Sequence, residues 1–264
     1  MEVVIRPDAL SAARLAARLV ADALRAKPRL VLGLATGRTM ERVYAELARL
    51  HTDEGLDFSL CRTFNLDEYV GLSPTDPHSY RAYMNAHLFD RVNIDKRNTH
   101  VPNGMAADLP AECHAYEAAI KGCGGIDLQL LGIGSDGHIG FNEPLSALRS
   151  RTREIALAPS TLAQNAALFG GDTGRVPRRA LTMGVGTIIE ASRILMLVTG
   201  ESKAAVLAKA VEGPITSMIS ASALQFHAQC RVIVDEEAAQ LLEGKDHYRW
   251  IFANEPEWVP YQGA

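Results

Sequence analysis

The sequence predicts an α/β protein, a doubly wound and mostly parallel sheet with helices on both faces, and three observations point to it. Short apolar runs alternate with longer amphipathic ones, as parallel strands joined by crossover helices require. The 264 residues, 47% hydrophobic and 22% charged, suffice for one sizeable core. No internal repeat, low-complexity linker or sharp shift of composition divides the chain, so a single Rossmann-like domain is expected over 1–264.

The first element is a helix over 9–26, which carries Leu15, Leu19 and Ala23 at four-residue steps. A short apolar strand, 29–34, follows. The segments 40–50, 79–92, 109–120 and 202–211 repeat the amphipathic pattern, and 60–64, 126–133, 193–198 and 231–234 read as further strands bounded by turn residues. Residues 182–189 fit either type, giving about six strands in all. Between 154 and 178, Pro159, Gly170, Gly171, Gly174 and Pro177 interrupt any long element, so a mobile flap over a site is expected there.

Composition excludes several classes of partner. The net charge is -4 with both signs interspersed, which leaves no footprint for nucleic acid or an anionic membrane. A small anionic substrate would need a local basic site. Met1 to Pro7 shows no long apolar core behind a basic start, and no run approaches the ~18 apolar residues of a membrane span, so a cytoplasmic protein is expected. Cys61, Cys113, Cys123 and Cys230 lie far apart and read as small buried hydrophobes rather than a disulfide framework or a metal site.

Ligands of open parallel sheets bind beyond the carboxyl ends of the strands, and four such ends hold chemistry. After the first comes Gly33-Leu34-Ala35-Thr36-Gly37-Arg38-Thr39-Met40, a glycine and hydroxyl turn into a helix, whose N–H groups with Thr36 and Thr39 can hold a phosphate. It lacks the third glycine of a dinucleotide fingerprint and the Gly-Lys-Ser/Thr ending of a P-loop. An ordinary threonine-capped turn is the other reading.

After the second strand, Asp67 and Glu68 are adjacent carboxylates that an extended chain points in opposite directions, so only one faces a given pocket. That one could act as a general base; a solvated acidic turn is the alternative. The third end, Gly134-Ser135-Asp136-Gly137-His138-Ile139-Gly140-Phe141-Asn142-Glu143-Pro144, gathers Asp136, His138 and Glu143 among glycines that allow close substrate approach. A histidine flanked by two carboxylates has a stabilised imidazolium and suits proton shuttling near neutral pH. No further His or Cys cluster completes a tight metal site, so no metal is expected. At the fourth end Lys203 lies in the first turn of a helix, against the macrodipole, and calls for an anion unless it snorkels to solvent.

Together these stretches resemble the glucosamine-6-phosphate deaminase family, from residue 28 to residue 236 and in consistent order. Phe64 to Tyr69 and Gly137 to Pro144 are its most specific motifs here, with Leu181 to Thr187 and Val211 to Pro214 as further matches. The resemblance implies a doubly wound fold and amino-sugar catabolism, with Asp67 as base for the carbon-2 proton and Asp136, His138 and Glu143 as the ring-opening group. Thr36, Gly37, Thr39 and Lys203 would hold the phosphate, and no cofactor is required. Related enzymes are often oligomers, which keeps a homo-oligomer open.

Two departures stand out. Arg38 replaces the family's usual small residue, and its flap arginine corresponds to Ala167, so Arg38 is expected to supply the missing guanidinium. Regulated members of the family respond to N-acetylglucosamine 6-phosphate. The chain resembles them at Ser146 and Arg153 but has Ile155 where they carry lysine, which predicts weak or absent activation. Competing readings are an enzyme for another hexosamine 6-phosphate such as galactosamine 6-phosphate, a 6-phosphogluconolactonase, and a sugar-phosphate-sensing domain without acid-base work.

Overall fold

Strands and helices alternate because short apolar runs and amphipathic runs alternate along the chain. The computed structural model describes residues 1–262. In order the elements are β1 (Glu2–Arg6), α1 (Ala9–Ala26), β2 (Val31–Leu34), α2 (Arg38–Glu54), β3 (Arg62–Asn65), β4 (Asp67–Tyr69) and α3 (Tyr80–Met84), which runs into a π-helical turn, Asn85–Phe89. Then follow β5 (Thr99–His100), α4 (Leu109–Gly122), β6 (Leu128–Leu131), β7 (Arg153–Ala156), α5 (Pro159–Asn165), β8 (Arg179–Thr182) and α6 (Val185–Ile189). After these come β9 (Ile194–Val198), α7 (Ala204–Val211), β10 (Cys230–Asp235), α8 (Glu236–Ala239), α9 (Lys245–Asn254) and a 3-10 helix, Pro256–Tyr261.

Seven strands form one sheet in the order β1-β10-β9-β6-β2-β3-β5, with every pairing parallel. Its three central strands are buried along their whole length, Val31 to Leu34, Leu128 to Leu131 and Ile194 to Val198. Helices that cover both faces of a parallel sheet produce this burial, and it explains the continuous apolar runs. Helix α1 starts on a reciprocal cap, in which the Asp8 carboxylate accepts the Ser11 N–H at 2.7 Å and Ser11 Oγ accepts that of Asp8 at 3.2 Å. It packs on α2 and on β10.

The doubly wound expectation agrees with this sheet. Four features differ in detail. Strand β1, with Val3-Val4-Ile5, lies outside the expected strands and pairs at the edge with β10. A second sheet, antiparallel in the order β4-β8-β7, stands apart from the first. The ambiguous stretch 182–189 divides into the end of β8 and helix α6. Residues 154–178 carry β7 and α5 rather than loop alone. No helix among the described residues is long and apolar enough to cross a membrane.

Strand order locates the crevice. From β2 the chain winds outward through β3 to β5, then returns to β6 on the other side of β2. The reversal between β2 and β6 opens a gap at the carboxyl ends of those strands, where ligands of such sheets bind.

Candidate active site

Both sides of that gap carry the residues singled out above. On the β2 side, Ala35, Thr36 and Gly37 lead into α2, which begins two residues earlier than its periodicity suggests, so Arg38 and Thr39 lie in its first turn. Gly37 caps the helix at φ +119° and offers no side-chain acceptor to the first N–H groups. Those donors therefore face outward at the positive end of the helix dipole. Thr36 and Thr39 are half-buried, while Arg38 is exposed. Its guanidinium forms no ion pair or hydrogen bond among the described residues, so pairing with Glu41 does not occur.

Next along the sheet, β3 leads into β4, and the alternation of an extended chain separates the two acids. Glu68 is consumed by backbone: Oε1 accepts the N–H groups of Tyr69 at 2.9 Å and Tyr80 at 3.0 Å, and Oε2 that of Arg81 at 3.0 Å. Asp67 accepts no hydrogen bond from any described residue although it is only 6% exposed. Burial, and secondarily the Glu68 charge, pushes its carboxyl up to about 8. A buried carboxylate left without donors is a strong base awaiting a proton.

The loop after β6 faces Asp67. A Cβ on Gly140, at φ +56°, would stand 3.4 Å from Asp67 Oδ2, which sets the carboxylate against the backbone two residues beyond His138. The imidazole of His138 lies flat on Gly134, where a Cβ would meet Nε2 at 2.3 Å, so only glycine fits beneath it. Nδ1 stands 2.6 Å from Asp136 Oδ1 and 3.8 Å from Glu143 Oε2. The Asp136 oxygen sits off the ring N–H axis, so the contact is close without being a well-directed hydrogen bond. His138 in turn holds the Asp136 carboxyl below its ordinary value. Glu143 Oε1 accepts the Ala158 N–H at 3.1 Å, and its buried Oε2 is left without a hydrogen bond on the histidine side.

Ligand atoms of these three side chains all lie within 4.8 Å of one another, close enough to share a cation. The 2.6 Å between Nδ1 and Oδ1 is nevertheless a direct contact. Two ligands of one tetrahedral zinc stand roughly 3.3 Å apart at its usual bond lengths. As arranged, the group suits proton transfer through the free Nε2 better than ion binding.

Lys203 arrives from the β9 end in a 3-10 turn, Glu201–Lys203, that precedes α7, so it caps that helix rather than occupying its first turn. Burial pulls its ammonium below the ordinary lysine value, and the nearby Asp136 charge opposes that shift. Ala167 is exposed on the 3-10 turn Ala166–Phe169, with no charge to offer.

Of the supporting residues, Ser220 carries no sequence signal, while Asn142 and Met183 lie in the matched motifs without a role that the sequence reveals. Ser220 Oγ accepts the Ile139 N–H at 3.1 Å and donates to Asn142 O at 2.9 Å, while Asn142 Nδ2 donates to Ile139 O and Met183 O, each at 2.8 Å. Their partners are up to 81 positions distant. A cavity of about 520 Å³ lies at the opposite end of the sheet, beside Glu2, Ile194 and Cys230. None of the residues above lines it, so chemistry rather than volume selects the candidate site.

Comparison with known proteins points to one family. Residues 8–232 match the family described as glucosamine-6-phosphate isomerases/6-phosphogluconolactonase. A glucosamine-6-phosphate deaminase from Arthrobacter sp. (strain FB24) is 50% identical over 258 residues, 98% of this chain and 99% of that protein. Glucosamine-6-phosphate deaminase 1 from Giardia intestinalis is 51% identical over 227 residues, 86% of this chain and 85% of its own. Among solved structures, a monomeric glucosamine-6-phosphate deaminase superposes with a TM-score of 0.89 at 46% identity, covering 91% of this chain and all, 100%, of that one. A 6-phosphogluconolactonase from Trypanosoma cruzi, at TM-score 0.73 and 20% identity over 92% of this chain and 97% of its own, shares the fold.

Proposed function

The chain belongs to the glucosamine-6-phosphate isomerase/6-phosphogluconolactonase family, and we propose that within it the protein is a deaminase that converts glucosamine 6-phosphate and water to fructose 6-phosphate and ammonia. Near-complete alignment at about half identity with proteins of that name supports the reading. The observation that carries it is the bare, buried Asp67 carboxylate facing the His138 loop across the strand-order reversal.

In this reading the first-turn N–H groups at Gly37 to Thr39, the Thr36 and Thr39 hydroxyls, Arg38 and Lys203 hold the phosphate. The sugar's other end then meets the acids. His138, with Asp136 and Glu143 stabilising its cationic form, takes the proton of the anomeric hydroxyl and returns one to the ring oxygen, opening the ring to the aldehyde. Asp67 removes the carbon-2 proton, which the carbonyl acidifies, to give an enolamine. Protonation at carbon-1 leaves an imine at carbon-2, and water replaces its nitrogen as ammonia departs. Beyond proton transfers, the sequence needs only cleavage of the ring C–O bond, addition of water to the imine and expulsion of ammonia from the resulting carbinolamine, with no change that calls for an oxidant or reductant. The acting unit is taken to be the single domain 1–264, working in the cytoplasm on a free sugar phosphate.

The test is ammonia release across a panel of hexosamine 6-phosphates. Glucosamine 6-phosphate is expected to give the highest kcat/KM, and a clear preference for galactosamine 6-phosphate would replace the substrate while keeping the chemistry. Hydrolysis of 6-phosphogluconolactone with no ammonia from any amino sugar would overturn the reading.

A further inference from the structure

We infer that Glu68 is a positioning residue that sets the phosphate turn at a fixed distance from the base through helix α3, an inference that rests on the deaminase reading for its kinetic consequences. Glu68 and Asp67 are neighbours on β4, so whatever Glu68 grips is tied to the base by one peptide bond. It grips the start of α3, by the N–H groups of Tyr80 and Arg81 at 3.0 Å each.

Helix α3 reaches the turn by tyrosines. Tyr83 donates its hydroxyl to Gly37 O at 2.8 Å, and the Tyr80 hydroxyl comes up beside that of Thr36. The Tyr83 ring packs edge-on against Tyr44, whose own hydroxyl donates to Ala35 O. Two residues of the turn, Ala35 and Gly37, are thus held by tyrosine hydroxyls, the second of them from the helix that Glu68 anchors.

A surface cap would not need this arrangement. Glu68 is 3% exposed, and its burial is unfavourable for a carboxylate unless the geometry it enforces matters. Holding a substrate by one end helps the reaction only if the distance from that end to the reacting carbon is constant, and one Ångström of slack is costly. A carboxylate that accepts three N–H groups from two elements provides that constancy.

The decisive variants are Glu68→Gln and Tyr83→Phe. Glutamine keeps an acceptor for two of the N–H groups and turns an NH2 toward the third, so α3 loosens while the fold survives. For Glu68→Gln, KM for glucosamine 6-phosphate and the inhibition constant of inorganic phosphate should rise together, by about fivefold for one lost hydrogen bond. The acid limb of its pH–rate profile should also move to lower pH. Apart from Glu68, the groups facing Asp67 are the hydroxyls of Tyr44, Tyr69, Tyr80 and Tyr116, all held neutral by burial. Tyr83→Phe should weaken phosphate binding in the same direction and leave the limb in place.

Loss of active protein with KM, phosphate inhibition and the acid limb unchanged in both variants would make Glu68 a structural cap and overturn the inference. If Glu68→Gln does not fold, Tyr83→Phe decides by calorimetry with inorganic phosphate alone, and wild-type affinity in it is fatal. Wild-type protein that binds inorganic phosphate but releases no ammonia, with weaker binding in both variants, would remove the deaminase reading and leave the positioning standing.

Discussion

The molecule contains two apolar clusters that differ in composition and in partners. The larger lies between the seven-stranded sheet and its helices and is mainly aliphatic, with Leu15, Leu32, Leu195 and Val232 all at most 2% exposed, though Phe64 and Trp258 are buried in it too. The smaller lies beneath the antiparallel sheet and α5 and is aromatic, with Tyr69, Phe141 and Phe169 at its centre. Tyr69 meets Phe169 edge-on at 5.7 Å, and His78 stacks on Phe169 at 4.7 Å. Two polar pegs complete it, Asn165 Nδ2 to the Tyr69 hydroxyl at 2.9 Å and Ser135 Oγ to Gln164 Oε1 at 2.8 Å. Aliphatic packing of central strands opens only with the whole fold, whereas a few rings and pegs over a site can part locally. This division predicts that stability resides in the first cluster and access to the crevice in the second.

Asp67 stands at the seam between them, on a strand of the small sheet but at the end of the large one, and the largest effect is expected there. Asp67→Asn keeps the shape and removes the base, so ammonia release should fall by roughly 10³-fold or more while substrate still binds. The same change should stabilise the protein. Since folding raises this carboxyl to about 8, the unfolded chain releases the proton first as pH climbs, and wild-type stability is lost between the two values. Asp67→Asn should melt higher by about 3 °C or more at pH 8 and show no difference near pH 4. Equal melting of the two proteins at pH 8 would place the charge elsewhere. In the wild type, kcat/KM should climb with pH until roughly 8.

Truncations test the clusters directly. Leu195→Ala, on β9, should cost about 3 kcal/mol and lower Tm by roughly 6–12 °C. Phe169→Ala removes a larger side chain of similar burial, 4% exposed against 2%. It should lower Tm by less than about 3 °C while hydrogen exchange over 159–169 accelerates and KM rises. Equal losses of Tm would mean that the two clusters melt as one.

What the sequence made legible follows the same division. The central strands were readable because burial on both faces leaves apolar runs, and α1 because Leu15, Leu19 and Ala23 recur at four-residue steps on its buried face. Strand β1 is as apolar but lies at the edge, and only its pairing with β10, more than two hundred residues on, marks it as part of the sheet. Strands β4, β7 and β8, of three or four residues each, are shorter than any periodicity can resolve. Asp67, His138 and Lys203 could be picked out because strand ends are where such sheets do chemistry. Which acid of Asp67-Glu68 is free could not be decided, since Glu68 is occupied by N–H groups of residues 80 and 81.

Arg38 offers a smaller effect on the crevice's rigid side. It is exposed at the start of α2, without a carboxylate among the described residues to hold it, at a helix end that repels a cation unless an anion is present. Arg38→Ala should raise KM for glucosamine 6-phosphate on the order of tenfold, with turnover changed less. For glucosamine without the phosphate the change should nearly vanish. A variant that binds the phosphorylated sugar as wild type does would leave the exposed Ala167 uncompensated.

The smallest expected effect belongs to the small antiparallel sheet, where N-acetylglucosamine 6-phosphate should change the half-saturating substrate concentration less than twofold. Arg153 on β7 is the cation that could hold such an effector's phosphate. Its guanidinium is already committed, Nη1 to Asn142 Oδ1 at 2.9 Å and Nη2 to Ser146 Oγ at 3.1 Å, and burial lowers its pKa with no carboxylate opposing. A phosphate dianion entering there would need a second cation to repay its dehydration. The residue two positions on, Ile155, packs its apolar side chain against the aromatic cluster instead. The link from this point to the crevice is short, because Asn142 belongs to the His138 loop, so any binding at Arg153 would be felt in the kinetics. Initial rates measured against substrate with and without the N-acetylated sugar phosphate should therefore superpose. Sigmoidal curves that the effector renders hyperbolic would show that Arg153 and Ser146 suffice without a second cation, and that the small sheet transmits what the large one does not.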